Sequence, residues 1–425
     1  MTHTVFRALT TRHLDDLLVR AGLDEADRVR AAAVAAVFPF RTNAYVVDSL
    51  IDWAAAPDDP LFRLNFPQPG MLAPADLARM EGLIRSEAPA REMRAAANEI
   101  RRRHNPHPSG QLDRNQPTLD GVPLEGLQHK YAETVLVFPS QGQTCHAYCT
   151  YCFRWPQFVG EPELKIATGD QAAMSAYLRA HPEVTSVLIT GGDALIMRTD
   201  VLRRYVEPLL EIDHIESIRL GTKALAYWPF RFTTDPDADA LLALFDQVIA
   251  SGRHLAVMAH YSHPVELDPE PAREALRRVR STGAVIRAQG PLIRGVNDEP
   301  AVWSRLWRES TRLGVVPYYM FVERDTGPQD HFGVPLARAV DIFQEAFASV
   351  SGLARTVRGP VMSADPGKAV VDGTAEIAGE KVFVLRMLQA RDPSLVGRPF
   401  FARYDPDATW LSDLRPAYGT DLLPT

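Results

Sequence analysis

Cysteine is almost absent from this chain of 425 residues: it has three, Cys145, Cys149 and Cys152, all within one short segment. An odd number packed so tightly excludes a disulfide-stapled framework. Lysine is scarce too. Lys130, Lys165, Lys223, Lys368 and Lys381 are the only five, so chemistry that needs a primary amine has few candidates. Long apolar runs are missing: the stretch at 30–40 is too short to span a bilayer and is interrupted by Pro39. The first twelve residues hold no apolar leader core. Excess positive charge is missing as well. The formal net charge of −7 gives no handle for nucleic acid or an anionic membrane. No GxGxxG follows a strand-like run, which argues against a dinucleotide-binding fold. What remains is an ordinary globular composition, 46% hydrophobic and 23% charged, with a cytoplasmic location expected.

The apolar pattern divides the chain into three regions. Residues 1–125 read as a helical N-terminal region and linker. Helix is expected over 1–37, with Thr10 and Thr11 as capping-type residues, and over 74–104, whose Arg101-Arg102-Arg103-His104 run reads as a solvated helix end. Residues 105–125 are rich in Pro, Gly, Asn and Asp and read as the linker. Over 126–334 the pattern alternates. Strand-like runs at Thr134–Phe138, Ser186–Thr190, Ser217–Leu220, Leu255–Ala259, Ala284–Ala288 and Val315–Phe321 are separated by helical stretches. Near-continuous apolar strands between helices indicate a parallel sheet. Six such units fit an α/β fold built as a partial (β/α)6 TIM-like barrel, with chemistry at the C-terminal mouth. Residues 335–425 start with a helix and continue as a C-terminal extension of short strands that closes the open side of the barrel.

The cysteines stand in Gln143-Thr144-Cys145-His146-Ala147-Tyr148-Cys149-Thr150-Tyr151-Cys152-Phe153-Arg154, a C-x3-C-x2-C pattern on the loop after the first of these strands. Three thiolates hold three corners of a [4Fe–4S] cubane and leave one iron open. A structural zinc ion would want a fourth ligand, and His146 is badly placed for tetrahedral geometry. The spacing resembles that of the radical-SAM superfamily, in which the open iron chelates S-adenosyl-L-methionine (SAM). Thr190-Gly191-Gly192-Asp193, after the second strand, resembles that superfamily's GGE/GGD motif. His260 ends the fourth strand and Gln289 the fifth.

Taken in order, the strings resemble the lysine 2,3-aminomutase family of enzymes that combine SAM with pyridoxal 5′-phosphate (PLP). They are Phe38-Pro39-Phe40-Arg41, the cysteine loop, Gly191-Gly192-Asp193-Ala194-Leu195, Arg219-Leu220-Gly221-Thr222-Lys223, His260-Tyr261-Ser262-His263-Pro264, Arg294-Gly295-Val296-Asn297-Asp298 and Pro317-Tyr318-Tyr319. The resemblance implies an isomerase that moves the amino group of an L-α-amino acid to its β-carbon. It implies SAM held by Gly191, Gly192, Asp193, His260 and Gln289. Lys368, in Asp365-Pro366-Gly367-Lys368, takes the place of the lysine that carries PLP; otherwise it is a surface lysine. Lys130, Tyr131 and Lys223 fall where the family contacts PLP, with two of the family's arginines replaced by lysine. Arg154 matches the residue that binds the substrate carboxylate. An external electron donor such as a flavodoxin or ferredoxin and a homo-oligomeric state are implied by the family alone. Other outcomes of the same chemistry are another PLP-supported radical reaction or modification of a protein lysine. A non-enzymatic iron–sulfur protein is the reading from a different class.

Lysine-specific members hold the distant ammonium with two aspartates. Counted without gaps, the first of those positions is Arg324, and the second falls in Gly359-Pro360-Val361-Met362-Ser363, which has no acid. A guanidinium repels an ammonium and favours an acidic side chain. Two alternatives stay open: Arg324 pairs with Glu323 or Asp325 and only lines the wall, or a one-residue slip puts Asp325 there.

Overall fold

The structure, a computed structural model, describes residues 5–418; the ends of the two terminal regions, 1–4 and 419–425, lie outside it. Its centre is one eleven-stranded sheet whose strands lie side by side in chain order. They are β1 (Leu127–Tyr131), β2 (Thr134–Val137), β3 (Ser186–Ile189), β4 (Ser217–Thr222), β5 (His254–His260), β6 (Val285–Leu292), β7 (Val316–Val322), β8 (Arg358–Ser363), β9 (Gly367–Ile377), β10 (Glu380–Ala390) and β11 (Pro399–Arg403). Strands β2 to β8 are parallel; β1 and β9 to β11 are antiparallel. Six of the parallel strands match the expected βα units. Their helix-facing residues, among them Val135, Val187, Ile218, Val257 and Ile286, are fully buried.

The sheet curls until its first strand meets the β9–β10 hairpin. Lys368 on β9 lies over the Tyr131 ring of β1, the Lys130 ammonium reaches the Ala364 carbonyl, and Gln389 of β10 donates to Glu133 at 2.7 Å. The result is a partial barrel whose seam is bridged by side chains. Its C-terminal part departs from the expected short strands. After helix Leu336–Ala348 comes a seventh parallel strand, β8, and then two strands of eleven residues each. Pro360 in Arg358-Gly359-Pro360-Val361 hides β8 from a pattern reading, because proline lacks the N–H a strand normally uses.

The N-terminal region also differs from expectation. Ala8–Thr10 is a strand paired with Arg41–Asn43, and the helix expected through residue 37 is two, Leu14–Arg20 and Glu25–Val37. Gly22, at φ +74°, and Asp24, which caps Asp27 N, make the break. The arginine run at 101–103 is only partly solvated. Arg101 is buried and donates to Val37 O at 2.7 Å and Ala36 O at 3.1 Å, closing the C-terminus of the neighbouring helix. Replacing Arg101 by Met is expected to cost about 2 kcal/mol in urea unfolding, since charge-assisted bonds to otherwise orphaned carbonyls are lost. Arg102→Met, on the exposed side, is expected to stay within about 0.5 kcal/mol.

Candidate active site

The parallel strands deliver their C-terminal ends to one cavity of about 230 Å³. Lys130, Tyr131, Arg154, His260, Gln289, Arg324 and Lys368 line it. The cysteine loop and the glycine loop lie beside it, and Lys223 faces elsewhere.

The N-terminal region clamps the cysteine loop. Tyr148 N donates to Arg41 O at 2.8 Å and Thr150 N to Leu64 O at 2.9 Å, while Asn43 Nδ2 reaches His146 O at 3.2 Å and Tyr227 O at 3.0 Å. Burial raises all three thiols, Cys152 to about 12; Asp193 adds to the rise at Cys145 and Cys149 to that at Cys152, whereas Lys223 works against it at Cys149. No three His, Cys, Asp or Glu side chains among the described residues converge on a single-ion site. His146 is turned into the core against Trp228 and held near pKa 3 by burial. A fourth protein ligand is therefore not supplied from that side, and the donor set fits a cluster with one open iron.

Beside the cysteines, the glycine loop needs its glycines. A Cβ on Gly192 would stand 2.4 Å from the Thr144 carbonyl oxygen, so this loop and the cysteine loop touch backbone to backbone. The Asp193 carboxylate, expected at a ligand, is already occupied: it accepts from Leu195 N, Thr222 Oγ1 and Lys223 N at 2.7–2.8 Å. It fixes the loop to the end of β4. His260 Nε2 meets the Tyr151 hydroxyl at 2.7 Å, and that hydroxyl also meets Ser262 Oγ at 2.8 Å. Burial, with Lys223 nearby, keeps His260 neutral.

Lys223 departs from its expected place among phosphate contacts. Its ammonium sits 2.6 Å from the fully buried Glu266, facing Oε1 outside hydrogen-bond geometry, over the Tyr227 ring. The cavity wall on β4 carries Arg219, whose Nε has no partner. The two-residue period of the strand gives this away in hindsight: Arg219 lies on the strand, whereas Lys223 lies beyond its end.

Lys368 opens β9 and is no surface lysine. Its Nζ donates to Gln389 Oε1 at 2.7 Å and lies 5.3 and 5.5 Å from the Tyr131 and Tyr319 ring centres. Burial, then Arg219 and Arg358, depress it to about 7. An amine half-neutral at physiological pH, with an unpartnered guanidinium in the same cavity, suits condensation with an aldehyde that also bears a phosphate. The cavity therefore fits PLP. Lys130 is likewise lowered to about 7, by burial and then Arg324.

At the other side, Arg154 and Arg324 share the Phe153 ring, at 4.9 and 5.3 Å from its centre. Among the described residues, Arg154 Nη1 and Arg324 Nε are buried without partners. Arg324 Nη2 donates to Ser109 Oγ at 3.0 Å, and its neighbours leave it unpaired. Asp325 Oδ1 has no partner and Asp325 does not line the cavity. Glu323 does, and burial lifts its proton affinity well above the carboxylate range. Ser109, Gln111 and Asn115 also line it, so the segment that reads as a linker is part of the wall.

Lys223→Met leaves Glu266, with backbone N–H bonds from Ser262 and His263 but no counter-charge, in the protein interior. The expected loss is about 3–5 kcal/mol in chemical denaturation, the usual cost of breaking a buried pair from one side.

No family model matches the chain. A putative L-lysine 2,3-aminomutase of Aquifex aeolicus (strain VF5) is 32% identical over 403 residues, 95% of this chain and 94% of that protein. An L-lysine 2,3-aminomutase of Acetoanaerobium sticklandii is 30% identical over 54% of this chain and 52% of its own length. The glutamate 2,3-aminomutase of Clostridioides difficile (strain 630) is 26% identical over 57% of this chain and 56% of its length. A solved radical SAM methyltransferase from Sphaerobacter thermophilus covers 82% of this chain and 93% of its own at 17% identity and TM-score 0.38, a likeness too slight to argue from. The near full-length match, on a chain whose barrel gathers the cysteine and glycine loops beside one cavity, makes this protein a member of the lysine 2,3-aminomutase family of radical SAM enzymes and an isomerase.

Proposed function

We propose that this enzyme is a PLP-dependent 2,3-aminomutase that acts on an acidic L-α-amino acid, glutamate or aspartate, and yields the β-amino acid. The observation that carries the proposal is the pair of buried, unpaired guanidiniums, Arg154 and Arg324, in the cavity that also holds the Lys368 amine. When bound, the [4Fe–4S] cluster and SAM supply a hydrogen-abstracting radical, and PLP supplies the conjugated system that lets nitrogen move from the α- to the β-carbon.

In this reading Cys145, Cys149 and Cys152 hold the cluster, and Gly191, Gly192, His260 and Gln289 hold SAM. The Asp193 carboxylate keeps the glycine loop in place from below. Lys368 carries PLP between the Tyr131 and Tyr319 rings. Lys130 and Arg219 serve its phosphate, with Arg219 standing where Lys223 was expected. Arg154 takes the α-carboxylate and Arg324 the side-chain carboxylate.

Magnitudes favour the acidic substrate. A lysine ammonium about 5 Å from one guanidinium meets roughly 3 kcal/mol of repulsion at an effective dielectric of about 20. A carboxylate gains a similar attraction and satisfies the orphaned N–H groups. Glu323 opposes this less than an exposed carboxylate would, because burial pushes it toward its protonated form, although Arg324 pulls the other way.

The test uses protein reconstituted anaerobically with iron, sulfide, PLP, SAM and dithionite, offered a panel of amino acids, with β-amino acids read by derivatised mass spectrometry. Glutamate or aspartate is expected to react, with kcat/KM falling about 100-fold in Arg324→Ala, as when one partner of a buried charge pair is truncated. Turnover of lysine with no product from either acid contradicts the proposal.

A further inference from the structure

Lys368 has a neighbour that fixes more than its position. The residue is paired with Gln389 across the β9–β10 ladder, just before a register shift. Gln389 Oε1 accepts from Lys368 Nζ at 2.7 Å, and Gln389 Nε2 donates to Glu133 Oε1 at 2.7 Å. Glu133 stands on the turn between β1 and β2, across the barrel seam, and its backbone carbonyl accepts from Thr185 N and Ser186 N. An ionised carboxylate can only accept a hydrogen bond. The glutamine must therefore turn its NH2 to Glu133, which leaves only its oxygen for the lysine. The direction of the amide follows from chemistry and is not an arbitrary flip.

We infer that Gln389, with its amide locked by Glu133, is a positioning residue for Lys368: it takes one N–H of the amine and turns the nitrogen lone pair into the cavity. The inference rests on the reading that Lys368 carries PLP. An amine that donates one N–H to a neutral oxygen keeps its lone pair directed away from that bond. What faces it there are the Tyr131 and Tyr319 rings and the open cavity. A neutral acceptor matters as much as the direction. A carboxylate in place of the amide would hold the amine as ammonium, which cannot attack an aldehyde. The other charged and titratable groups packed around Lys368 are Arg219 on β4, Arg358 on β8 and Lys130 on β1, which disfavour the proton, and Glu133, which favours it. Lys130, the second amine of the cavity, has only the Ala364 carbonyl as hydrogen-bond partner among the described residues and no such relay there.

The test follows PLP capture by the full-length reconstituted chain. The lysine amine condenses with the PLP aldehyde with loss of water, borohydride reduces the C=N bond, and the pyridoxyl-modified peptide is located by mass spectrometry as a function of pH. The wild-type protein is expected to be labelled on Lys368 with a midpoint near 7, losing label as pH falls and the amine is protonated. In Gln389→Glu the midpoint should rise by about one unit or more. Gln389→Met should slow capture about tenfold at a pH where the amine is neutral. Glu133→Gln, on an exposed turn, frees the amide to flip and should slow capture with little change in fold. Labelling of Lys368 with unchanged midpoint and rate in all three variants overturns the inference while leaving the PLP lysine in place. Labelling of Lys130 instead overturns the reading of Lys368 and the inference with it.

Discussion

Uncompensated positive charge inside the barrel is the constraint on which the rest of this structure turns. Lys130, Arg154, Arg219, Arg324 and Lys368 face a single cavity, and the one acid among its lining residues, Glu323, is pushed toward its neutral form. Burying cations without anions is costly, because the low dielectric that strengthens pairing also magnifies the lack of it. The two lysines give way by losing protons near neutrality. Guanidiniums cannot do so within the physiological range and wait for anions. A phosphate at one end and two carboxylates at the other would supply them, which is why the charge of the cavity and the proposed chemistry belong to the same argument.

The fold exists to hold that cavity against its own repulsion. Parallel strands bring side chains far apart in sequence to one rim, and the curled sheet closes through Gln389, Glu133 and Lys130 where backbone pairing stops. Asp365, just ahead of Lys368, is bridged to Arg391 at 2.9 Å and to Arg114, which ties the 105–117 segment to the β9–β10 hairpin. Asp365, Arg391 and Arg114 are thus paired beside the cavity, whereas the guanidiniums of Arg154 and Arg324 inside it have no anion among the described residues. The N-terminal region does a similar service for the cysteine loop, whose backbone donors end on Arg41 and Leu64 carbonyls.

Much of this was legible in the sequence, and the rest was hidden for physical reasons. Buried parallel strands are largely apolar, so six of them and their helices stood out. The cysteine spacing is itself chemistry and needed no fold to be read. Strand β8 was masked by Gly359 and Pro360, and Ala8–Thr10 is too short to show a period without its partner Arg41–Asn43. The segment at 105–125 reads as linker because it is polar, yet Ser109, Gln111 and Asn115 are polar for the cavity's sake. Lys223 was expected at PLP from the family resemblance, and its pairing with Glu266, 43 residues on, shows only in the folded chain. Arg324 is the opposite case: a single charge reversal in an otherwise familiar string was visible, and its freedom from Glu323 and Asp325 became visible only in three dimensions.

The most direct measurement is the fate of the substrate's β-hydrogen. Glutamate and aspartate deuterated at the β-carbon would be incubated separately with the reconstituted enzyme, SAM and dithionite, and the 5′-deoxyadenosine formed would be weighed by mass spectrometry. Deuterium in 5′-deoxyadenosine from one of these acids, and none from β-deuterated lysine, is the result the cationic cavity predicts. Deuterium from lysine alone would contradict it, because an ammonium would then sit among unpaired guanidiniums.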